Sequence, residues 1–239
     1  MKTLHYISLF IIALGFQSCS WNINIGEKGN GHVVTQDRTI QDDFSAIKSS
    51  AGINVYITQG DKRALSVETD ENLQKYIETK VSDGVLRIRP TTGIRRSTAL
   101  KVYVTFPAIE HLEASSGSSI RSTDLIKSQQ LSAKASSGAS IHLNVLSENL
   151  ELKSSSGSDI YAMGKTLSLI ARSSSGSSIK AKELETIRCS ATASSGSDIY
   201  VNVKENLAAK ASSGGDINYY GNPTVSANRS SSGDVKKRG

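Results

Sequence analysis

Only two cysteines, Cys19 and Cys189, occur in 239 residues, so a network of internal disulfides is excluded even though an oxidising compartment would permit one. Proline is nearly absent, at 3 residues, and aromatics make up 5 %, which excludes a core of large rings and argues against a nucleic-acid surface. Histidine is scarce. Once His5 is set aside with the leading segment, His32, His111 and His142 remain, at no spacing suited to a metal or a nucleophile's base. Long apolar runs are missing too. The longest is the mostly apolar stretch Leu4 to Phe16, 13 residues, against the roughly 20 that a membrane-spanning helix needs. Serine and glycine are plentiful instead, and 19 glycines beside so few prolines describe a chain of strands and turns.

The leading segment reads as an export signal. Met1-Lys2-Thr3 carries one positive charge, the apolar run follows, and Gln17-Ser18-Cys19 closes it. A cysteine in this place resembles a bacterial lipoprotein cleavage box, in which Cys19 becomes the acylated N-terminus. Phe16 stands where leucine is common and Gln17 where a small residue is preferred, so an ordinary signal-peptidase cut is the alternative. The acyl chains of a lipoprotein cysteine hold a protein stably on a bilayer. The expected organisation is a signal peptide over 1–18, a lipid-anchored tether over 19–30, and one domain over 31–239. It places the protein in the cell envelope as an outer-membrane lipoprotein, facing the periplasm or the outside. Lys and Arg number 28 against 22 Asp and Glu, a net +6 that falls to +5 when Lys2 leaves with the signal. That excess suits anionic sugars or lipid head groups.

An internal repeat dominates the rest. Ser-Ser-Gly recurs with its glycine at Gly117, Gly138, Gly157, Gly176, Gly196, Gly214 and Gly233, at intervals of 21, 19, 19, 20, 18 and 19 residues. Most copies continue Gly-x-(Ser/Asp)-Ile, and the last reads as shortened to Gly233-Asp234-Val235. Seven, five, three and one residues before each glycine stand small or apolar side chains, as in Leu150, Leu152, Ser154 and Ser156. The places between hold charges or serine, such as Lys153 and Ser155. This is strand alternation with an inward and an outward face. One such strand on each side of a glycine corner, every 19 or so residues, predicts an all-β chain coiled as a parallel β-helix-like solenoid. Each rung buries its neighbour's small apolar face at about 4.8 Å spacing. The glycine is expected at positive φ, and its neighbour Ser158 is expected to face solvent.

Residues 31–113 are less regular than 114–239, with strands predicted at Ser45–Ser49, Ile53–Ile57, Ala64–Glu68, Val85–Arg89 and Leu100–Val104, and one or two helical turns within Asp70–Ile77. This part reads as an irregular β cap on the regular repeats. Gly52-Ile53-Asn54, the Leu86-Arg87-Ile88 segment, the Val102-Tyr103-Val104-Thr105-Phe106-Pro107 step, the serial Ser-Ser-Gly-x-x-Ile rungs and Tyr220-Gly221-Asn222-Pro223 together resemble the auto-transporter adhesin "head GIN" domain family of Bacteroidota lipoproteins. The match runs from about Phe44 to Val225. It implies an exported β-solenoid and carries no catalytic residues with it.

Candidate chemistry is weighed on that frame. Asp159, Asp198, Asp216 and Asp234 precede the turn isoleucine or valine, a pattern similar to calcium-binding β-roll turns. Serine fills the same place elsewhere, and hard cations want six to eight oxygens, so turn capping is the simpler role. A nucleophile is one special residue, whereas these serines repeat on every rung. Neither a catalytic residue, a metal nor a cofactor is therefore assigned. Cys189 stands where Leu131, Leu150, Leu169 and Leu207 stand and reads as a core residue. Four residues before the glycines come Lys134, Lys153, Arg172, Lys210 and Arg229, a stack of cations interrupted by Thr192. Beside the isoleucines run Arg121, His142, Tyr161, Lys180, Tyr200 and Asn218. The cations, with Tyr161 and Tyr200, are the candidate ligand-binding residues for an anionic glycan or lipid head group; ordinary solubility is the competing account. A non-catalytic adhesion module is the function expected, with a β-helical polysaccharide-active enzyme or a lipid-binding envelope protein as rivals.

Overall fold

A computed structural model describes residues 26–239; the expected signal and Cys19 lie outside the described residues. The serine–glycine corner sets the coil. At Ser156-Gly157 both residues are left-handed, with φ of 54° and 67°, and the pair repeats from Ser116-Gly117 to Ser213-Gly214. Two successive positive-φ residues reverse the chain sharply. Glycine adopts that region freely, whereas each serine is strained by roughly 1–2 kcal/mol. The corners also bond to one another. Gly117 N–H donates to the Ser137 carbonyl at 3.1 Å, Gly138 to Ser156 at 3.1 Å, and so on to Gly214 and Ser231 at 3.1 Å. Ala51-Gly52 has the same pair of angles, 57° and 77°, and Gly52 N–H donates to the Ser116 carbonyl. The Gly-Ile-Asn motif is thus the first corner of the column.

The strands ahead of the serine repeats are β1 (Glu27–Lys28), β2 (Val33–Asp37), β3 (Ala46–Ser49), β4 (Asn54–Gln59), β5 (Ala64–Asp70), β6 (Ile77–Ser82), β7 (Val85–Pro90), β8 (Ile94–Arg96), β9 (Leu100–Phe106) and β10 (His111–Ala114). The repeats give β11 (Ser119–Ala135), β12 (Ser140–Ser155), β13 (Asp159–Ser174), β14 (Ser178–Ala193), β15 (Asp198–Ala211), β16 (Asp216–Tyr220), β17 (Thr224–Arg229) and β18 (Asp234–Lys237). Strands β11 to β15 are long and pair in parallel, each with the next. Ile120, Ile141, Ile160, Ile179, Ile199 and Ile217 stack in one inward column, and Leu131, Leu150, Leu169, Cys189 and Leu207 in another. Uneven intervals have local causes. Extra residues between Arg121 and Leu125 lengthen the 21-residue rung, and one between Lys180 and Glu183 the 20-residue rung.

Two details differ from the alternation expected. The serine directly before each glycine, such as Ser156, is exposed, because it is already left-handed and has left the strand. The residue after the glycine turns inward instead: Ser118, Ser158 and Ser197 are each 1 % exposed. Ser158 Oγ accepts the Ser155 N–H at 3.0 Å and lies 2.9 Å from the Ala135 carbonyl. The last corner is also not shortened. Ser231 and Ser232 carry the positive φ values, 48° and 63°, and Gly233 occupies the place of Ser158. That shift moves the preceding strand by one position, with consequences for Arg229 below.

Below β11 the chain is knitted rather than wound. On one flank β4 lies between β9 and β11; on the other the order is β11, β10, β3, β7. The strand before the corner at Gly52 and the strand after it are thus threaded between segments that come later in the sequence. Antiparallel strands close this end: β5 pairs β9, β2 pairs β5, and β6 pairs β7 across the Asp83-Gly84 hairpin. Larger side chains fill this half, among them Phe44, Ile47, Leu86 and Phe106. A 3-10 helix over Glu71–Tyr76 supplies the expected helical turns. Asp70, with no exposed surface, accepts the Gly31 N–H at 2.7 Å and the Thr98 N–H at 2.7 Å. Residues 26–30 of the expected tether pack on the body, where β1 pairs β8.

Candidate functional site

The parallel register turns each outward position into a straight column, one residue per rung, on either flank of the corner. On the flank before it, Arg87, Lys48, Glu113, Lys134, Lys153, Arg172, Thr192, Lys210 and Asn228 succeed one another. Four of the five expected cations are here. Arg229 is not: its strand has shifted with the last corner, so it pairs with Ala211 and donates to the Val235 carbonyl at 2.9 Å. Asn228 takes the place beside Lys210.

A groove of about 330 Å³ runs along this column. Lys134, Lys153, Arg172 and Thr192 form one side, Ser155, Ser174 and Ser194 the other, and no carboxylate lines it. Glu151, one column further out, holds the two central cations, Lys153 at 2.9 Å and Arg172 in closer contact. The Lys153 hydrogen bond, reinforced by Arg172 and partly opposed by burial, keeps the Glu151 carboxyl below the usual range. Among the described residues Lys134 and Lys210 make no ion pair, so their charges face the solvent.

Tyr161 and Tyr200 stand apart from these cations, on the flank after the corner. Their column reads Tyr103, Tyr56, Arg121, His142, Tyr161, Lys180, Tyr200 and Asn218. His142 and Tyr161 stack at 4.4 Å and 8°, Tyr56 and Tyr103 at 5.2 Å and 19°. Lys180 Nζ lies over the Tyr161 ring at 4.5 Å and donates to its hydroxyl at 2.8 Å. The sequence places Tyr56 and Tyr103 on strands but not in this column, because no serine corner marks their rungs. A signal existed, however: Tyr56 follows Gly52 by the same offset as Tyr161 follows Gly157.

The aspartates form a third column at the corner's edge, where Asp198, Asp216 and Asp234 meet on successive rungs. Burial and the neighbouring Asp216 push the Asp198 carboxyl up, as crowded like charges do. Asp159 instead accepts from Ser178 and faces Lys180 at 3.4 Å. Among the described residues no three His, Cys, Asp or Glu side chains gather as a metal site. Cys189 is buried in the leucine column, and burial pushes its thiol up to about 12, so it is an unreactive core residue.

Residues 43–223 match the family described as "Putative auto-transporter adhesin, head GIN domain". The chain belongs to this family. Solved structures share the head GIN fold. A "putative adhesin" from Bacteroides fragilis NCTC 9343 superposes with a TM-score of 0.82 at 19 % identity, over 89 % of this chain and 100 % of that one. One from Parabacteroides merdae ATCC 43184 gives 0.73 at 22 % identity, over 90 % and 100 %. A "putative lipid binding protein" from Parabacteroides distasonis ATCC 8503 gives 0.72 at 21 %, over 89 % and 99 %. No curated protein matches the sequence. The head GIN family supports a non-catalytic, adhesion-like role.

Proposed function

We propose that this head GIN protein is an exported cell-envelope module, anchored through acylated Cys19, that holds an extended anionic glycan along the groove beside Lys134, Lys153 and Arg172. One observation carries the reading: the groove is lined by cations and hydroxyls with no carboxylate among them. A stack of identical rungs repeats the same groups at about 4.8 Å, which matches a polymer better than a compact metabolite. An enzyme would gather dissimilar polar groups at one point, whereas here they recur as columns.

Binding of a sulfated polysaccharide to the mature protein, measured as salt is raised, tests it. Lys153→Glu with Arg172→Glu should abolish binding along the groove and leave the fold intact, since both side chains stand outside the core. Lys62→Glu with Lys127→Glu changes net charge equally elsewhere. Equal loss in both double variants would mean that only overall charge matters. Vesicles carrying anionic lipid, run in parallel, separate a head group from a glycan. Detergent phase partition of the full chain, with and without Cys19→Ala, tests the anchor; two aqueous forms with a free N-terminus would sink it.

A further inference from the structure

The flank after the corner carries a second feature that the cation groove does not use. Between the column of Arg121, His142, Tyr161 and Lys180 and the next outward residues, Asn144, Met163 and Lys182, lies a trough of about 470 Å³. It falls within the roughly 300–1,000 Å³ of pockets that hold a compact ligand. It crosses four rungs, β11 to β14, and three steps of about 4.8 Å make it about 14 Å long.

Its chemistry is mixed in a particular way. His142 and Tyr161 spend their ring faces on one another, so the trough meets ring edges, the positive rim of an aromatic quadrupole. Arg121 stands at one end and Lys180 at the other, the Lys182 stem lies beside Lys180 with its ammonium over the Tyr220 ring at 4.7 Å, and Glu183 is the one carboxylate in the lining. Ser122 Oγ accepts the Asn144 N–H at 2.8 Å, which leaves its own proton to donate. The Tyr161 hydroxyl accepts from Lys180 and likewise keeps a proton to give. Met163, 43 % exposed, offers an apolar face on the opposite wall. We infer that this trough is a second binding site, for a short acidic oligosaccharide: anionic groups meet Arg121 at one end and Lys180 at the other, hydroxyls meet Ser122, Asn144 and Tyr161, and a ring's C–H face covers Met163. The site shares no residue with the cation groove and stands or falls separately from it.

His142 gives the site a signature. Facing it are Arg121 on β11, Asp159 and Tyr161 on β13, and Lys180 on β14. Burial and Arg121 hold its pKa below the ordinary histidine value, with Asp159 opposing. The trough therefore gains a cation only when the medium becomes acidic.

The mature protein is titrated calorimetrically with a heparin-type sulfated tetrasaccharide, whose sulfates do not titrate, and with cellotetraose as the neutral counterpart. Arg121→Gln with Lys180→Gln should weaken the sulfated ligand roughly tenfold or more, two charge-assisted contacts being lost. Lys153→Glu with Arg172→Glu should remove the component of the titration that belongs to the cation groove and leave the affinity of the remaining, trough component within about twofold, the ordinary range for a charge change outside the site. Affinity should rise as pH falls from about 8 to about 5, and His142→Phe, which keeps a stacked ring, should flatten that rise. Equal binding of cellotetraose, equal loss in both double variants, loss in neither, or a wild-type profile indifferent to pH would each overturn the assignment. So would binding of phosphatidylglycerol vesicles without the tetrasaccharide.

Discussion

From Ser119 onward each long strand pairs with the strand next in sequence, whereas before it β4 is held between β9 and β11, strands that come well after it in the chain. The regular half is built from one corner repeated, with Ala and Ser filling a narrow interior. The knitted half has no repeated corner beyond Ala51-Gly52 and relies on Phe44, Phe106 and buried polar hubs. Asp70 ties the segment around Gly31 to Thr98, and Gln74 donates to the carbonyls of Val34 and Val67 at 3.0 and 2.9 Å. A stack of parallel rungs leaves an open edge at each end, and open edges invite pairing with other chains. The knitted half solves this by turning antiparallel through β5, β2 and β6. At the other end β18 carries Lys236 and Lys237 on its edge, charges that discourage addition of another strand. Regularity is thus a property of the middle of the coil, and the irregular half is what closes it.

If that division is right, the largest effect of a single substitution should come from the knitted half. Asp70→Ala removes the acceptor of the Gly31 and Thr98 N–H groups and of the Thr98 hydroxyl, bonds to a charged group worth about 1.5–3 kcal/mol each, and should cost about 3 kcal/mol or more. Urea unfolding would measure it, and a loss below about 1 kcal/mol would mean that the hub is dispensable. Acid should also separate the knitted half from β14 and β15, the depressed Glu151 carboxyl of the regular half lying on β12. Burial works against the Asp70 carboxylate, but hydrogen bonds from Thr98 and Gly31 outweigh it and keep its pKa low. Glu68 is likewise held down by Lys101 and Tyr103, each at 2.8 Å. Their stabilisation is complete above the unfolded carboxylate values, near pH 4, and is lost as pH falls through the depressed folded ones. Asp198 in the regular half is shifted upward, so its protonation relieves the fold over the same descent. Amide exchange should therefore show β2 and β5 opening before β14 and β15 on acidification. The reverse order would break the comparison.

The second effect sits inside the regular half. The sequence pattern places Ser158 in solvent and puts all the constraint on Gly157. In the structure a Cβ on Gly157 meets nothing within 4 Å, so Gly157→Ala should cost only the left-handed strain, about 1–2 kcal/mol. Ser158→Ala removes the Oγ contacts to the Ser155 N–H and to the Ala135 carbonyl, and at about 0.5–1.5 kcal/mol for each should cost about 1–3 kcal/mol. Comparable or greater loss at Ser158, read from melting temperatures, reverses the order expected from the sequence. Gly164 should exceed both, because a Cβ there would lie 2.1 Å from the Val145 carbonyl oxygen.

These positions show where the sequence was legible. Period and alternation located the rungs, the isoleucine and leucine columns and the outward cations, because a stack imposes one rule on every copy. The corner itself was misread by one residue, since two left-handed residues break strand alternation and period two cannot be carried through them. That slip put Ser158 outside, and a further slip of the last corner put Arg229 in the cation column. The order of strands in the knitted half could not be read at all, because no local signal says that β4 will be held between β9 and β11. The Arg121–His142–Tyr161 column was visible, but its stacked rings and the trough beside them depend on side-chain packing across rungs.

The smallest expected effect lies at the junction of the two halves, where Glu113 interrupts the cation column. It pairs with Lys48 at 2.8 Å and stands between Lys134 of the regular half and Lys48 and Arg87 of the knitted half. The pair is partly exposed, so Glu113→Gln should change stability by less than about 1 kcal/mol. Its effect on the column is of another kind. With Glu113 neutral, the column from Arg172 across the junction to Arg87 would hold cations on both sides of the junction and no negative charge. A sulfated oligosaccharide long enough to cross it should then gain about threefold in affinity, of the order an exposed charge contributes. One confined to the rungs of Lys134 to Arg172 should gain much less, since screening limits the reach of Glu113 to about 8 Å at physiological ionic strength. Glu151→Gln is the companion variant, because it frees Lys153 and Arg172 within the regular half and should strengthen long and short ligands alike. Equal gains for both lengths with Glu113→Gln would mean that the ligand never reaches the knitted half, and that binding, like the repeat, belongs to the regular rungs alone.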